Sequence, residues 1–213
     1  MGESRRRAET MRAMRAMRAS ATAPATPPPP ASLAESCDLC GNDLPDDHRH
    51  MLHLGERYIL CTCETCLAMK AGDADLRPTG SRTLWLEDFD LPDEVWAAFQ
   101  IPVGLAFFLR SSGVGRMAAM YPSPAGATEC ELQFADWERL VTLNPILEDL
   151  EADIEALIVN RMTEPHEHVV APIDEAYKLV GMIKANWEGI SGGDALAKAV
   201  PAFFGQLREK APS

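Results

Sequence analysis

From about residue 99 onward the chain alternates strand-length apolar runs with apolar stripes at helical spacing. "GLAFFLRS" (104–111) and "GRMAAMYPS" (115–123) are short, nearly continuous apolar runs, and "SGVG" between them predicts a hairpin. "FADWERLVTL" (134–143) places Phe134, Trp137, Leu140 and Val141 on one helical stripe, and Asn144-Pro145 ends it. "IEALIVNRM" (154–162) and "HEHVVAPI" (166–173) read as two more strands. "DEAYKLVGMIKANW" (174–187) carries Ala176, Tyr177, Val180, Ile183 and Trp187 along one side of a helix. Asp174 and Glu175 open that helix, where its dipole favours anions. "SGGDALAKAVPAFFGQLREK" (191–210) predicts a closing helix, kinked at Pro201. Strands and helices do not alternate regularly, so the pattern favours α+β over a doubly wound parallel sheet.

Upstream the pattern changes. Residues 1–33 hold "MRAMRAMRA", whose three-residue period makes no helical stripe, and "ATAPATPPPPAS", an extended spacer. This leader is expected to be disordered. Residues 71–98 mix turn signals with isolated apolar positions and read as a linker, and "YPSPAGATECE" (121–131) reads as a turn-rich loop. Between leader and linker lies a module, 34–70, with too few apolar residues to hold itself together.

That module supplies the candidate chemistry. "CDLCGNDLPDDHRHMLHLGERYILCTCETC" (37–66) holds five of the chain's six cysteines and three of its five histidines. Cys37 and Cys40 form one C-x2-C pair followed by Gly41, and Cys63 and Cys66 form a second. Two such pairs, returned to each other by a hairpin made of "HRHMLHL" and "RYILC", have the spacing of a tetrahedral sulfur site. Cys61 is a third thiol in "CTCETC"; Cys61 and Cys63 would share a strand face, so either could ligate, and the C-x2-C repeat favours Cys63. The ion is zinc or, alternatively, a single iron. Polar knuckle neighbours (Asp38, Asn42, Thr62, Glu64, Thr65) favour zinc over a rubredoxin-like iron centre. The expected fold is therefore α+β: a small zinc-ribbon-like, or rubredoxin-like, cysteine module followed by a mixed α+β domain over 99–213.

The remaining candidates carry less. His48 and His50 share a strand face with Leu52 while His53 points away, so the H-x-H pair is a conceivable nickel or second zinc site, or merely polar surface. His166 and His168 form a second such pair; His168 with Asp174 and Glu175 is the acid–base set an enzyme would use. Cys130 has no basic neighbour and reads as a packed residue rather than a nucleophile. No phosphate-binding loop, serine elbow or zincin helix occurs, so no catalytic residue is assigned.

Charge and composition narrow the classes further. The net charge is −12, and the first twenty residues carry six arginines against two glutamates, so the body is strongly acidic and unsuited to gripping nucleic acid. The longest apolar stretch, "IPVGLAFFL", is far short of a bilayer span. No apolar h-region follows the arginines, so a cytoplasmic location is expected, where clustered cysteines serve as metal ligands rather than disulfides.

"CDLCGNDLPDDHRHMLHL", "LCTCETC", "IPVGLAFFLRSS", "YPSPAGATE", "NPILEDLEADIEALIVNR" and "PIDEAYKLVGMIKANWEGISGG" occur in this order. Together, over Cys37–Lys210, they resemble an uncharacterised bacterial family encoded mainly in actinobacteria beside genes for nickel-iron hydrogenases. The resemblance implies a metal-binding accessory role in assembly, maturation or docking of a hydrogenase, with hydrogenase subunits or maturation proteins as partners. The alternative is an iron electron carrier serving that enzyme. Members often have cysteine where this chain has Ala176, so no essential thiol stands there.

Overall fold

The computed structural model describes residues 35–113, 115–187 and 193–212. The leader expected to be disordered, 1–33, lies outside them. The chain order is β1 (Arg49–His53), β2 (Tyr58–Thr62), α1 (Glu64–Lys70), β3 (Leu76–Pro78), β4 (Leu84–Trp85), α2 (Asp93–Ala98), β5 (Leu105–Ser111), β6 (Arg116–Ser123) and β7 (Gly126–Cys130). There follow α3 (Phe134–Leu143), a 3-10 turn (Pro145–Asp149), β8 (Glu155–Asn160), β9 (Glu167–Pro172), α4 (Ile173–Asn186) and α5 (Gly193–Lys210). The protein is α+β, with antiparallel pairing throughout.

The larger sheet has six strands in the order β4-β9-β8-β5-β6-β7. Its middle strands are covered on both faces, which is why "LAFFL" and "ALIV" are continuous apolar runs rather than alternating ones. Leu105, Phe107 and Leu109 face α4 and α5, in a core with Ile158, Ala176, Leu179, Phe204 and Leu207. Ala106 and Phe108 face the other way, against Val95 and Phe99 near α2, Trp137 and Leu140 of α3, and Leu147. The period of two in a strand sends neighbours to opposite layers.

The strands and helices read from the apolar pattern form at the expected places, with differences in detail. Asn144 ends α3 as expected, and its buried amide donates to the carbonyls of Asp90 and Leu140 while its oxygen accepts from Asp90 N–H. Phe134, placed on the buried stripe of α3, is instead 76% exposed. The helix after Gly193 runs through Pro201 and buries Leu196, Val200, Phe203, Phe204 and Leu207. The stretch 121–131, read as a loop, is a β6–β7 hairpin. Only Pro124 and Ala125 turn, and the Ser123 hydroxyl closes it against Thr128 Oγ1 at 3.0 Å.

Residues 71–98, read as a linker, supply β3, β4 and α2. Their apolar residues look isolated because they serve two separate layers from short elements: Leu76 on β3 of the small sheet, Leu84 and Val95 in the second core. Arg82 fastens this stretch to β8, with its Nε and Nη2 donating to the two carboxylate oxygens of Glu155 at 2.6 and 2.5 Å.

The smaller sheet, in the order β2-β1-β3, does not stand apart. Leu52 is part of the α4/α5 core, and Leu54 and Ile59 pack against it. Among the described residues no helix is long and apolar enough to cross a membrane.

Candidate metal centre

The first cysteine pair sits in a tight loop. Cys37 N–H donates to Asn42 O and Gly41 N–H to Cys37 O, both at 2.8 Å. Gly41 has φ +77°, a left-handed conformation that a side chain resists, so the glycine after the second cysteine is what lets the loop turn back. The second pair is built differently. Cys63 caps α1, accepting at its sulfur from Cys66 N–H at 3.5 Å, and Cys66 lies in the first turn of that helix. The order is therefore knuckle, hairpin, helix.

The β1–β2 hairpin returns Cys63 to Cys37, and Asp38 locks the return. Its N–H donates to Cys61 O at 2.9 Å, and its Oδ2 accepts from Cys61 N–H at 2.7 Å. Asp38 was legible in the sequence only as a polar neighbour, yet it joins the two knuckles. Thr62, another such neighbour, is fully buried and donates to Arg49 O.

The sulfurs of Cys37, Cys40, Cys63 and Cys66 all lie within 4.8 Å of one another, an arrangement that could hold a metal ion. Cys40 Sγ and Cys63 Sγ are 3.7 Å apart. For metal–sulfur bonds of about 2.3 Å, a tetrahedron has edges of about 3.8 Å. Cys37 is buried and Cys40 exposed, so the cluster sits at the surface. Burial opposes ionisation of Cys37, but backbone N–H groups of Cys63, Leu39 and Cys40 outweigh it and bring its pKa down to about 6. Hydrogen bonding with the Cys40 thiol, then burial, pushes Cys66 up to about 12.

Cys61, read as a possible member of this set, is grouped elsewhere. It pairs directly across the hairpin with His50, and ligand atoms of His48, His50 and Cys61 lie within 4.8 Å of one another. His53, on the opposite strand face, stacks on Tyr58 and accepts from Glu56 N–H. His166 pairs with Glu164 at 2.9 Å. Cys130 is half-buried on β7, and burial raises its pKa.

The pair His168–Asp174 does not form. Asp174 Oδ2 lies 3.0 Å from His50 Nδ1, at the start of α4. His168 is buried on the other face of the sheet, tilted against Phe89 with ring centroids 4.6 Å apart, and its Nε2 has no hydrogen-bond partner among the described residues. The sequence separation of six residues hid a change of sheet face between them.

Burial, then the charges of His166 and Arg161, lowers the His168 pKa from the usual 6.5 to about 4. The unfolded chain therefore takes up this proton first, and stability that is complete above pH 6.5 is lost as the pH falls to about 4. By that shift the loss is about 3 kcal/mol. We expect urea unfolding curves of His168→Leu to lack this part of the acid dependence at equal metal content. A variant as acid-sensitive as the parent chain would contradict it.

A protein-family model described as Family of unknown function (DUF5947) matches residues 36–211. No curated protein and no solved structure matches the chain.

Proposed function

The chain belongs to the DUF5947 family of unknown function, and within it we propose that this protein is a metal-binding accessory protein whose cysteine quartet holds one zinc ion. The observation that carries the reading is the convergence of four sulfurs from two separate C-x2-C pairs onto one point. The ion ties the first loop to the start of α1 and gives the small sheet the stability its few buried residues, Met51 and Leu52 chief among them, do not supply. The first knuckle and the hairpin are zinc-ribbon-like; the second pair is carried by a helix. A closed sulfur set with no position for a reactant makes the centre structural, and the surface around it serves docking.

The proposed partner is a nickel-iron hydrogenase or its maturation machinery, in the cytoplasm. What supports the partner is the sequence resemblance, not the geometry. Polar surroundings support zinc over iron: the Asp38 carboxylate, between the first two cysteines, accepts from Cys61 N–H.

Native protein, purified without added metal, should be colourless and carry zinc that remains bound through dialysis. A coloured protein with iron in these sulfurs would make it an electron carrier instead. Protein with neither ion would end the metal reading. Deletion of the gene should lower hydrogen uptake in the host; unchanged uptake and enzyme assembly would remove the partner.

A further inference from the structure

We propose that His48, His50 and Cys61 form a second transition-metal site, of nitrogen-and-sulfur type, separate from the cysteine quartet. Three features point to it. The first is convergence: the three ligand atoms lie within 4.8 Å of one another, and the hairpin register sets His50 directly opposite Cys61. His48 lies just before β1, two residues from His50, with ring centroids 4.6 Å apart.

The second feature is an orphaned nitrogen. The His48 side chain is only 4% exposed. Its Nδ1 lies 2.9 Å from Pro45 O, to which it can only donate, so Nε2 is left with a lone pair. That Nε2 is buried and makes no hydrogen bond among the described residues, although the Glu35 carboxylate approaches to 3.4 Å. A buried imidazole lone pair without a donor costs free energy unless something accepts it, and a cation does so.

The third feature is the support behind His50. Its Nδ1 lies 3.0 Å from Asp174 Oδ2, which directs the proton to Nδ1 and leaves Nε2 as the ligand. A carboxylate behind a histidine is the usual outer support of a metal-bound imidazole. Asp174 Oδ1 is itself buried and has no hydrogen-bond partner among the described residues.

The ligand set suits zinc, cobalt(II) or nickel(II). It also differs from the quartet in having three protein ligands rather than four. Both histidines line a polar cavity of about 360 Å³ with Thr79, Ser81 and Lys210, so water or a small ligand can complete the coordination. An open three-ligand site is the kind that exchanges or activates a bound molecule.

The full chain, loaded with zinc at the quartet and titrated with Co2+, tests the proposal. Cobalt binds such ligands more weakly than zinc and leaves the quartet occupied. The parent chain should take up one further ion with sulfur-to-cobalt charge-transfer absorption. Cys61→Ser should abolish that absorption and His48→Gln should weaken uptake. Asp174→Asn should weaken it by about 10–100-fold, through the lost support of His50. The zinc retained at the quartet is the folding control in each variant. No uptake by the parent chain, or absorption unchanged in Cys61→Ser, overturns the proposal. These variants spare all four quartet cysteines, so the two metal readings fail separately.

Discussion

Replacing Cys40 and Cys63 together with serine should release the quartet's ion and open the small sheet while the six-stranded sheet stays folded. Structural zinc contributes about 10–16 kcal/mol of apparent folding free energy at neutral pH. Little else holds this region. Its fully buried side chains are few, and the 35–44 loop, closed on itself by the Ser36–Asp43 bridge, is joined to the rest mainly by the Asp38–Cys61 pair. The larger sheet is packed by two cores to which the 35–44 loop contributes no residue. Leu52, Leu54 and Ile59 will keep some hairpin contact with α4, so the loss is graded toward the knuckles. Hydrogen exchange read by mass spectrometry is the direct measurement. Amides of 37–44 and 61–66 should lose protection in the double variant, or in the parent chain after chelation, and those of β5 and β8 should keep it. Unchanged ion content with unchanged protection would remove the metal from the account of this fold.

Arg82→Ala should destabilise the fold by about 3 kcal/mol. Glu155 is almost wholly buried, its side chain 3% exposed, and the Arg82 guanidinium meets both of its oxygens. Removing one member of a buried pair strands the other charge, which costs about 3–5 kcal/mol; Arg82 is itself 42% exposed, so water can reach the gap and the low end applies. Glu151 N–H also donates to Glu155 at 3.1 Å, so part of the carboxylate stays satisfied. The urea midpoint should fall accordingly, with an unchanged slope. Replacing both partners, Arg82→Met with Glu155→Leu, should recover much of the loss, because no charge is then stranded. A single variant within a few tenths of a kcal/mol of the parent chain would show that the pair does not hold the 71–98 stretch to β8.

The paired cysteines, the glycine after the first pair and the apolar runs of the main strands were legible from residues alone. Each is a local requirement: a left-handed turn at Gly41, sulfurs at C-x2-C spacing, strands buried on both sides. The β6–β7 hairpin was missed because its prolines and small residues carry turn chemistry, and only cross-strand pairing makes them a ladder. The strands in 71–98 were missed for a related reason. Leu76 serves the small sheet while Leu84 and Val95 reach the second core from two short elements, so they leave no period to read.

The sequence by itself determined that four thiols are arranged in two pairs able to meet, and that His50 shares a strand face with Leu52; His48, read onto the same face, lies just before the strand. Only the tertiary structure decided their company. It set Cys61 against His50 rather than among the other sulfurs, gave Asp174 to His50, and turned His168 to the opposite side of the sheet against Phe89. Spacing along a chain constrains neighbours within one element, whereas contacts between β1 and α4 depend on how the apolar faces of separate elements pack, and no local pattern records that.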